Sequence, residues 1–298
     1  MRCVRCGSKK EVYLKSYNIS LCRVCLIQCC QNRVRNTISR FEMCKTSDSI
    51  LVAVSAGKDS LSLWDILNEL GYYTFGIYID LGIGEYSRLS REYAVKFARQ
   101  KKLPLKIIVV EDIFNMNIVE IARILKRPAC RVCGLIKRYL LNYEAQGFDC
   151  IATGHNLDDE ASVLLGNIFK WQEGFLSRQY PVLQEKGTLK KKIKPLCFNL
   201  EEEIRYYADF RDIEYVKDPC PLSKHATSLF YKGIMNKVEN RMPATKIYFY
   251  KEFIKQHYFK RTQENLVSCK RCGYLTISEI CSFCKLKEEL SKKVKVPV

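Results

Sequence analysis

Cysteine placement constrains this chain more than any other feature. Of its sixteen cysteines, eleven fall into three ordered sets. Cys3, Cys6, Cys22 and Cys25 follow C-x2-C-x15-C-x2-C, and Cys269, Cys272, Cys281 and Cys284 follow C-x2-C-x8-C-x2-C. Four thiolates from two such knuckles complete a tetrahedral shell, so each set reads as a structural zinc site. Cys29 and Cys30 follow closely enough to compete with Cys25 as a ligand. The third set, Cys130-x2-Cys133 with the distant Cys220, has only three thiols. A soft metal centre with three protein ligands keeps an open position, where chemistry can occur.

Metal is the expectation rather than disulfide because the chain reads as cytoplasmic and without a membrane partner. The start, MRCVRCGSKK, lacks the apolar core of a signal peptide. No apolar run reaches the ~18 residues that a membrane span needs. In a reducing compartment, paired C-x2-C knuckles bind metal more often than they oxidise. At 298 residues the chain can bury one large core, with small appendages.

Fifty Lys and Arg against 32 acidic residues leave a formal charge of +18. That excess is the electrostatic footprint of a polyanion partner, so nucleic acid is expected. A lysine-rich thermophile surface would balance Lys with Glu, and this one does not.

Residues 1–28 form the N-terminal zinc module, with too few apolar residues to fold without metal. Cys30, Val34, Ile38 and Phe41 then recur at helical spacing, predicting a basic connecting helix within 29–48. Beyond it the pattern alternates. Strand-like runs at Ser49–Ser55, Thr74–Asp80, Leu105–Val110 and Cys150–Thr153 are separated by helical stretches, including Ser87–Lys102 and Leu135–Gln146. Strands apolar throughout and alternating with helices indicate α/β architecture, a doubly wound, mainly parallel sheet. Lys190–Phe198 reads as an edge strand, and Glu201–Asp212, Thr227–Asn240 and Tyr248–Tyr258 as helices. The expected division is a catalytic domain over 29–262, whose 223–262 portion is a helical extension, then a second zinc module over 263–298.

Ser55-Ala56-Gly57-Lys58-Asp59-Ser60 lies where the first of these strands turns into a helix. Small residues let backbone N–H groups approach an anion there, and the helix N-terminus adds partial positive charge. The Walker pattern is absent. The segment resembles the SGGxDS pyrophosphate loop of the adenylating PP-loop ATPases, with Ala56 replacing the first glycine. An alanine there predicts a loop that avoids positive φ. Gly154-His155-Asn156-Leu157-Asp158-Asp159-Glu160, after the fourth strand, resembles the GHN-x-D-D pattern of the same enzymes. Its acids can hold Mg²⁺ or orient a reacting group, or can simply favour a helix first turn.

Cys220 sits in Asp218-Pro219-Cys220-Pro221, where two prolines stiffen the turn. The residues leave four readings of the three-cysteine set open. They are plain reduced thiols, a third zinc site completed by His225, a persulfide relay, and a [4Fe–4S] cluster with one open iron. Cys44, Cys150 and Cys197 read as packing residues.

Taken in order, the cysteine module, AVSAGKDSL, IDLGIGEYS, ACRVCGLIKRY, ATGHNLDDEA, DPCP and CKRCGY…CSFC resemble the two-zinc group of tRNA 2-thiolation enzymes over nearly the whole chain. The segment Leu81–Ser87 favours the branch acting on the T-loop 5-methyluridine over the wobble-uridine thiolases. The resemblance implies ATP at Ser55, Gly57, Lys58 and Ser60, with adenine near Ala53 and Ile79 and Gly154 alongside. The O2 of the base would attack the α-phosphate, pyrophosphate would leave, and sulfur would displace AMP at C2. Lys58 and Lys137 would neutralise phosphate charge, and Asp59, Asp159 and Asp158 would activate the base or position Mg²⁺. Cys130, Cys133 and Cys220 would hold a [4Fe–4S] cluster taking sulfide from a ubiquitin-like carrier with a thiocarboxylate end. The zinc modules would grip tRNA, and the enzyme would be a homodimer. The alternatives are wobble-uridine or cytidine thiolation by the same chemistry, and a non-catalytic, zinc-dependent RNA-binding protein.

Overall fold

A computed structural model describes residues 1–223, 226–256 and 266–294. The chain opens with an antiparallel hairpin, β1 (Val12–Leu14) and β2 (Ile19–Leu21), which leads directly into α1 (Arg23–Arg40). The expected boundary at 28/29 thus falls inside a continuous helix, which begins within the cysteine module. Cys30, Val34 and Ile38 form its buried stripe, as their spacing predicts.

The sheet follows the alternation read from the sequence. Its first part is β3 (Ser49–Val54), α2 (Lys58–Glu69), β4 (Tyr73–Asp80), α3 (Gly84–Lys101) and β5 (Leu105–Val109). Next come α4 (Val110–Phe114), α5 (Ile118–Leu125), α6 (Ala129–Glu144), β6 (Cys150–Thr153) and α7 (Leu157–Phe169). The chain continues through α8 (Glu173–Leu176), β7 (Val182–Leu183), β8 (Lys192–Ile193) and α9 (Glu201–Phe210). The last described elements are α10 (Thr227–Arg241), α11 (Thr245–Gln256), β9 (Val267–Ser268), β10 (Leu275–Thr276) and α12 (Ser282–Val294).

Strand order in the main sheet is β5-β4-β3-β6-β8-β7, parallel except for the β7–β8 pair. From β3 the chain winds outward to β4 and β5, then returns to place β6 on the other side of β3. The carboxyl ends of β3 and β6 therefore flank a topological switch point, where open α/β sheets bind ligands.

Two expectations are corrected. Lys190–Phe198 is not an edge strand: only Lys192 and Ile193 pair, and they lie inside the sheet between β6 and β7. Pro195 cannot extend the ladder, and Val182–Leu183 was too short a signal to show as the true edge. The helix expected from Leu135 starts at Ala129, so Cys130 and Cys133 stand within its first turns, after Pro128 as N-cap.

Both cysteine modules are docked on the core. At the N-terminal end, the fully buried Glu203 of α9 accepts from Arg33 at 3.0 Å and from the Tyr17 hydroxyl at 3.0 Å, tying α1 and the β1–β2 hairpin to one point. In the C-terminal module, Phe283 of α12 stacks on Tyr139 of α6, with ring centroids 3.7 Å apart and planes 3° from parallel. Leu286 and Leu290 are buried in the same contact.

Trp64 of α2, fully buried, lies over β4, and its indole N–H donates to Thr74 Oγ1 at 3.1 Å. A Cβ on Gly76 would stand 2.3 Å from that ring. Gly76→Ala must therefore displace the central core aromatic, and it should cost about 1–3 kcal/mol of stability through overpacking. The check is the urea midpoint of the variant, which should fall with no change in m-value.

Candidate active site

The loop from β3 to α2 is held by its own hydroxyls. Ser55 N donates to Ser60 Oγ at 3.1 Å, and Ser60 Oγ donates to Gly57 O at 3.0 Å. Ala56 overturns an expectation: it does not avoid the left-handed region but sits in it, at φ 60°. The curl of the loop imposes that conformation. Ala56 is fully buried, and its carbonyl accepts from Val216 N at 3.0 Å, so packing outweighs the ~1–2 kcal/mol that an L-residue loses there.

The loop after β6 presses against this first loop. A Cβ on Gly154 would stand 2.9 Å from Ser60 N, so only glycine fits between the strand end and the start of α2. Asn156 then caps α7 in a reciprocal box with Asp159, and its Nδ2 donates to Asp59 Oδ1 at 2.9 Å. One side chain both starts α7 and links the two motifs. His155 Nδ1 lies 2.9 Å from Thr153 Oγ1.

Between these loops opens a cavity of about 340 Å³. Its walls include Ala53, Ser55, Asp59, Ser60, Ile79, Lys137, Gly154, His155 and Asp159. The sequence-derived set therefore converges, with three exceptions. Gly57 and Lys58 sit in the adjoining loop and helix start without lining the cavity. Asp158 is elsewhere: buried, it pairs with Lys246 of α11 and accepts from Glu201 N at 2.8 Å. Asp158 anchors three helices.

Charge around the cavity is arranged as a chain of ion pairs. Lys58 contacts Asp59 at 3.0 Å and Glu201 at 2.6 Å, while Lys232 of α10 contacts Glu201 at 2.8 Å and Asp159 at 2.9 Å. Burial pushes the Asp59 carboxyl up, Lys58 pulls it back and Asp159 pushes it up again, leaving it raised. Burial also acts upward on Glu201, but the two lysines prevail and bring it to about 2. Glu201 and Lys232 carry no signal in a single sequence. They lie 42 and 73 residues beyond Asp159, and only folding brings them together.

Helix α6 connects this cavity to the third cysteine set. Cys130, Cys133, Lys137 and Leu141 fall at i, i+3, i+7 and i+11, one face of the helix, and the last two line the cavity. Burial raises the Cys133 thiol, and Lys137 one turn along opposes that rise. The turn bearing Cys220 docks at the start of α6, where Cys130 Sγ donates to Leu222 O at 3.1 Å. His225 lies outside the described residues.

The cysteine sets differ in spacing. Among the described residues, groups of three or more ligand atoms all within 4.8 Å of one another are Cys3, Cys6, Cys22, Cys25 and Cys269, Cys272, Cys281, Cys284. Sulfur separations of 3.5 Å for Cys6–Cys22 and 3.7 Å for Cys272–Cys281 suit one tetrahedral ion with Zn–S of about 2.3 Å. In each module burial acts upward on the leading thiol, but three backbone hydrogen bonds bring Cys3 and Cys269 to about 6, favouring the ligating thiolate. Cys29 is not in the first set and instead accepts from Arg5 at 3.0 Å. Cys130, Cys133 and Cys220 do not form such a group. Their all-thiolate donor set is that of a cubane, which puts each thiolate on a different iron.

Comparison with known proteins agrees with this geometry. A family model described as a PP-loop domain matches residues 28–227. The chain is 41% identical, over 98% of each chain, to the tRNA-5-methyluridine(54) 2-sulfurtransferase of Thermotoga maritima. Against the same-named enzyme of Thermus thermophilus it is 41% identical, over 99% of this chain and 94% of that one. The chain belongs to the PP-loop tRNA 2-sulfurtransferases. In structure it is similar to the U34-tRNA thiolase of Methanococcus maripaludis, solved with its [4Fe–4S] cluster. The TM-score is 0.84 at 28% identity, covering 97% of this chain and 96% of that one. No helix among the described residues of this sulfurtransferase is long and apolar enough to cross a membrane.

The ion-pair chain makes the site acid-sensitive. Glu201 has its folded value lowered to about 2 from an ordinary 4.5, so its contribution to stability is complete above about pH 4.5 and fades as pH falls toward 2. Glu201→Gln should therefore flatten the loss of stability between pH 5 and 3, measured as urea midpoints of the two proteins across that range.

Proposed function

We propose that this sulfurtransferase adenylates the C2 carbonyl oxygen of 5-methyluridine in the tRNA T-loop and replaces that oxygen with sulfur, releasing AMP and pyrophosphate. The observation that carries the reading is the single face of α6, which runs from Cys130 and Cys133 to Lys137 and Leu141 in the cavity wall. Activation and sulfur delivery are then about one to two helical turns apart on that face.

A pyrimidine carbonyl oxygen leaves poorly, and a phosphate ester leaves well. The cavity is built for that conversion. Ser55, Gly57 and Ser60 present the loop and the N-terminus of α2 to the phosphates, and Ala53, Ile79 and Gly154 flank the adenine. Lys58 and Lys137 offset charge that grows on the phosphates as the base oxygen attacks. Asp59 and Asp159 face the cavity as carboxylates fit for Mg²⁺ or for orienting the base, with Asn156 and Lys232 fixing their positions. Asp158 takes a supporting role through Lys246.

Cys130, Cys133 and Cys220 would hold the cluster. When bound, a [4Fe–4S] cluster on three thiolates leaves one iron able to take a sulfide ligand. Lys137, between thiolates and cavity, supplies positive charge where anionic sulfur meets the adenylated base. The two four-cysteine sites would hold zinc, and the modules over 1–28 and 263–298 would grip tRNA on either side of the 29–262 catalytic unit. A carrier protein with a C-terminal thiocarboxylate would supply sulfur, and a homodimer is the expected assembly.

Identity of 41% with enzymes named for position 54, against 28% with the U34 thiolase, supports the T-loop base over the wobble base. Ala56, the one departure from the pyrophosphate-loop pattern, still adopts a left-handed turn, which weighs against the non-catalytic reading.

Cys133→Ala and Cys220→Ala should each abolish thiolation while leaving about two zinc ions per chain, one for each four-cysteine site. Nucleoside mass spectrometry of reacted tRNA, beside metal analysis of anaerobic protein, provides the check. Wild-type amounts of 2-thio product from either variant would refute the proposed sulfur site.

A further inference from the structure

We infer that Phe169, Trp171 and Phe230, exposed beside the nucleotide site, form a stacking platform for unpaired nucleotides of the RNA substrate. The inference rests on the proposed reading that the substrate is RNA.

Large aromatic side chains normally bury, yet Phe169 is 65% exposed, and Trp171 and Phe230 are 67% exposed each. They lie together. Phe169, at the end of α7, meets the Tyr231 ring at 5.9 Å, and Tyr231 meets Phe230 at 5.6 Å. Tyr231 is itself wedged over Gly166, where a Cβ would stand 2.8 Å from its ring. The middle ring is therefore fixed by packing, and its neighbours are presented outward.

Trp171 adds a second, independent observation. Helix α7 closes in a Schellman turn, with Gln172 N donating to Asn167 O at 3.0 Å and Trp171 N to Ile168 O at 2.9 Å. The residue at that left-handed position is usually glycine, yet here it is tryptophan at φ 48°. A bulky aromatic gains nothing from the backbone there and buries little, so its contribution to folding is unfavourable on both counts. Rigid, outward-facing rings held on strained or packed backbone are what stacking with bases uses.

Position and charge favour RNA over a protein. Phe230 is two residues from Lys232, whose ammonium contacts Asp159 in the cavity wall. Along α7, Phe169 lies ten residues, about 15 Å, beyond Asp159, so the platform flanks the cavity without entering it. Lys170 stands between Phe169 and Trp171, and Lys237 is one helical repeat, i+7, from Phe230. Across 167–178 and 227–241, five basic residues face two acids, Glu173 and the buried Glu239. Bases stacked on the rings would keep their phosphates beside lysines, which is how single-stranded nucleic acid is held.

The chain carries its own probe. It has two tryptophans, and Trp64 is fully buried, so a change in emission on adding RNA belongs to Trp171. Titrating the whole protein with its tRNA should quench the exposed emission. W171F should abolish that signal while keeping affinity. W171G suits the left-handed turn and so should fold well, yet together with F230A it should raise the Kd for tRNA about tenfold. ATP binding should stay at wild-type strength.

No quenching at saturating tRNA, or wild-type Kd in the double variant, would overturn the inference. So would a double variant that binds tRNA normally but has changed its oligomeric state or lost its response to the sulfur donor, since the face would then belong to a protein. Quenching by tRNA from a wild-type protein that thiolates no nucleotide would uphold the platform and refute the proposed function instead.

Discussion

Helical periodicity along α6 is the constraint on which the site depends. Four residues at i, i+3, i+7 and i+11 share a face, so two thiols, a lysine and a cavity wall are aligned by backbone geometry alone. The opposite face carries Tyr139, stacked on Phe283 of the C-terminal module. Packing on that side fixes the rotation of the helix about its axis, and hence where the reactive side points. The C-terminal module therefore has a structural task besides any contact with RNA. It buttresses the helix that runs from the three-cysteine set to the cavity.

A second constraint is the contact between the two loops at the switch point. Gly154 lets the β6 loop reach the first turn of α2, and Asn156 spans the gap to Asp59. Once those loops touch, carboxylates and lysines from α2, α7, α9 and α10 meet in one chain of ion pairs. Within that cluster Asp59 is raised by burial and by Asp159, while Glu201 is lowered to about 2 by its two lysines. Such an arrangement suits a site that must receive a highly charged triphosphate, because exchangeable charges are already in place to answer it. It also ties α10 to the cavity wall through Lys232, although that helix lies far along the chain.

Much of this was legible in the sequence because the signals were local. Knuckle spacing identified both four-cysteine sites, and β-branched runs ending in small residues located the strands that carry the pyrophosphate loop. The lines of reasoning that failed share a cause. Ala56 was expected to avoid positive φ because an isolated alanine does; burial and the bond from Val216 decided otherwise. Asp158 and Asp159 are neighbours with the same chemistry, and sequence cannot say which faces a cavity. A 100° step along α7 sends one to Lys246 and leaves the other in the cavity wall. Lys190–Phe198 looked like an edge because its partner β7 is two residues long.

What the sequence determined by itself is the set of chemical capacities: four-thiolate sites, a three-thiol set, a phosphate loop and a cationic surface. Spacing along the chain decides these, since ligand knuckles and loop-to-helix turns are completed within a few residues. Tertiary structure alone decided which capacities are neighbours. Glu201 and Lys232 joined the site, Asp158 left it, and α6 was turned so that Lys137 and Leu141 face the cavity. Those outcomes depend on how helices pack across the sheet, and packing is a property of surfaces that no stretch of sequence contains.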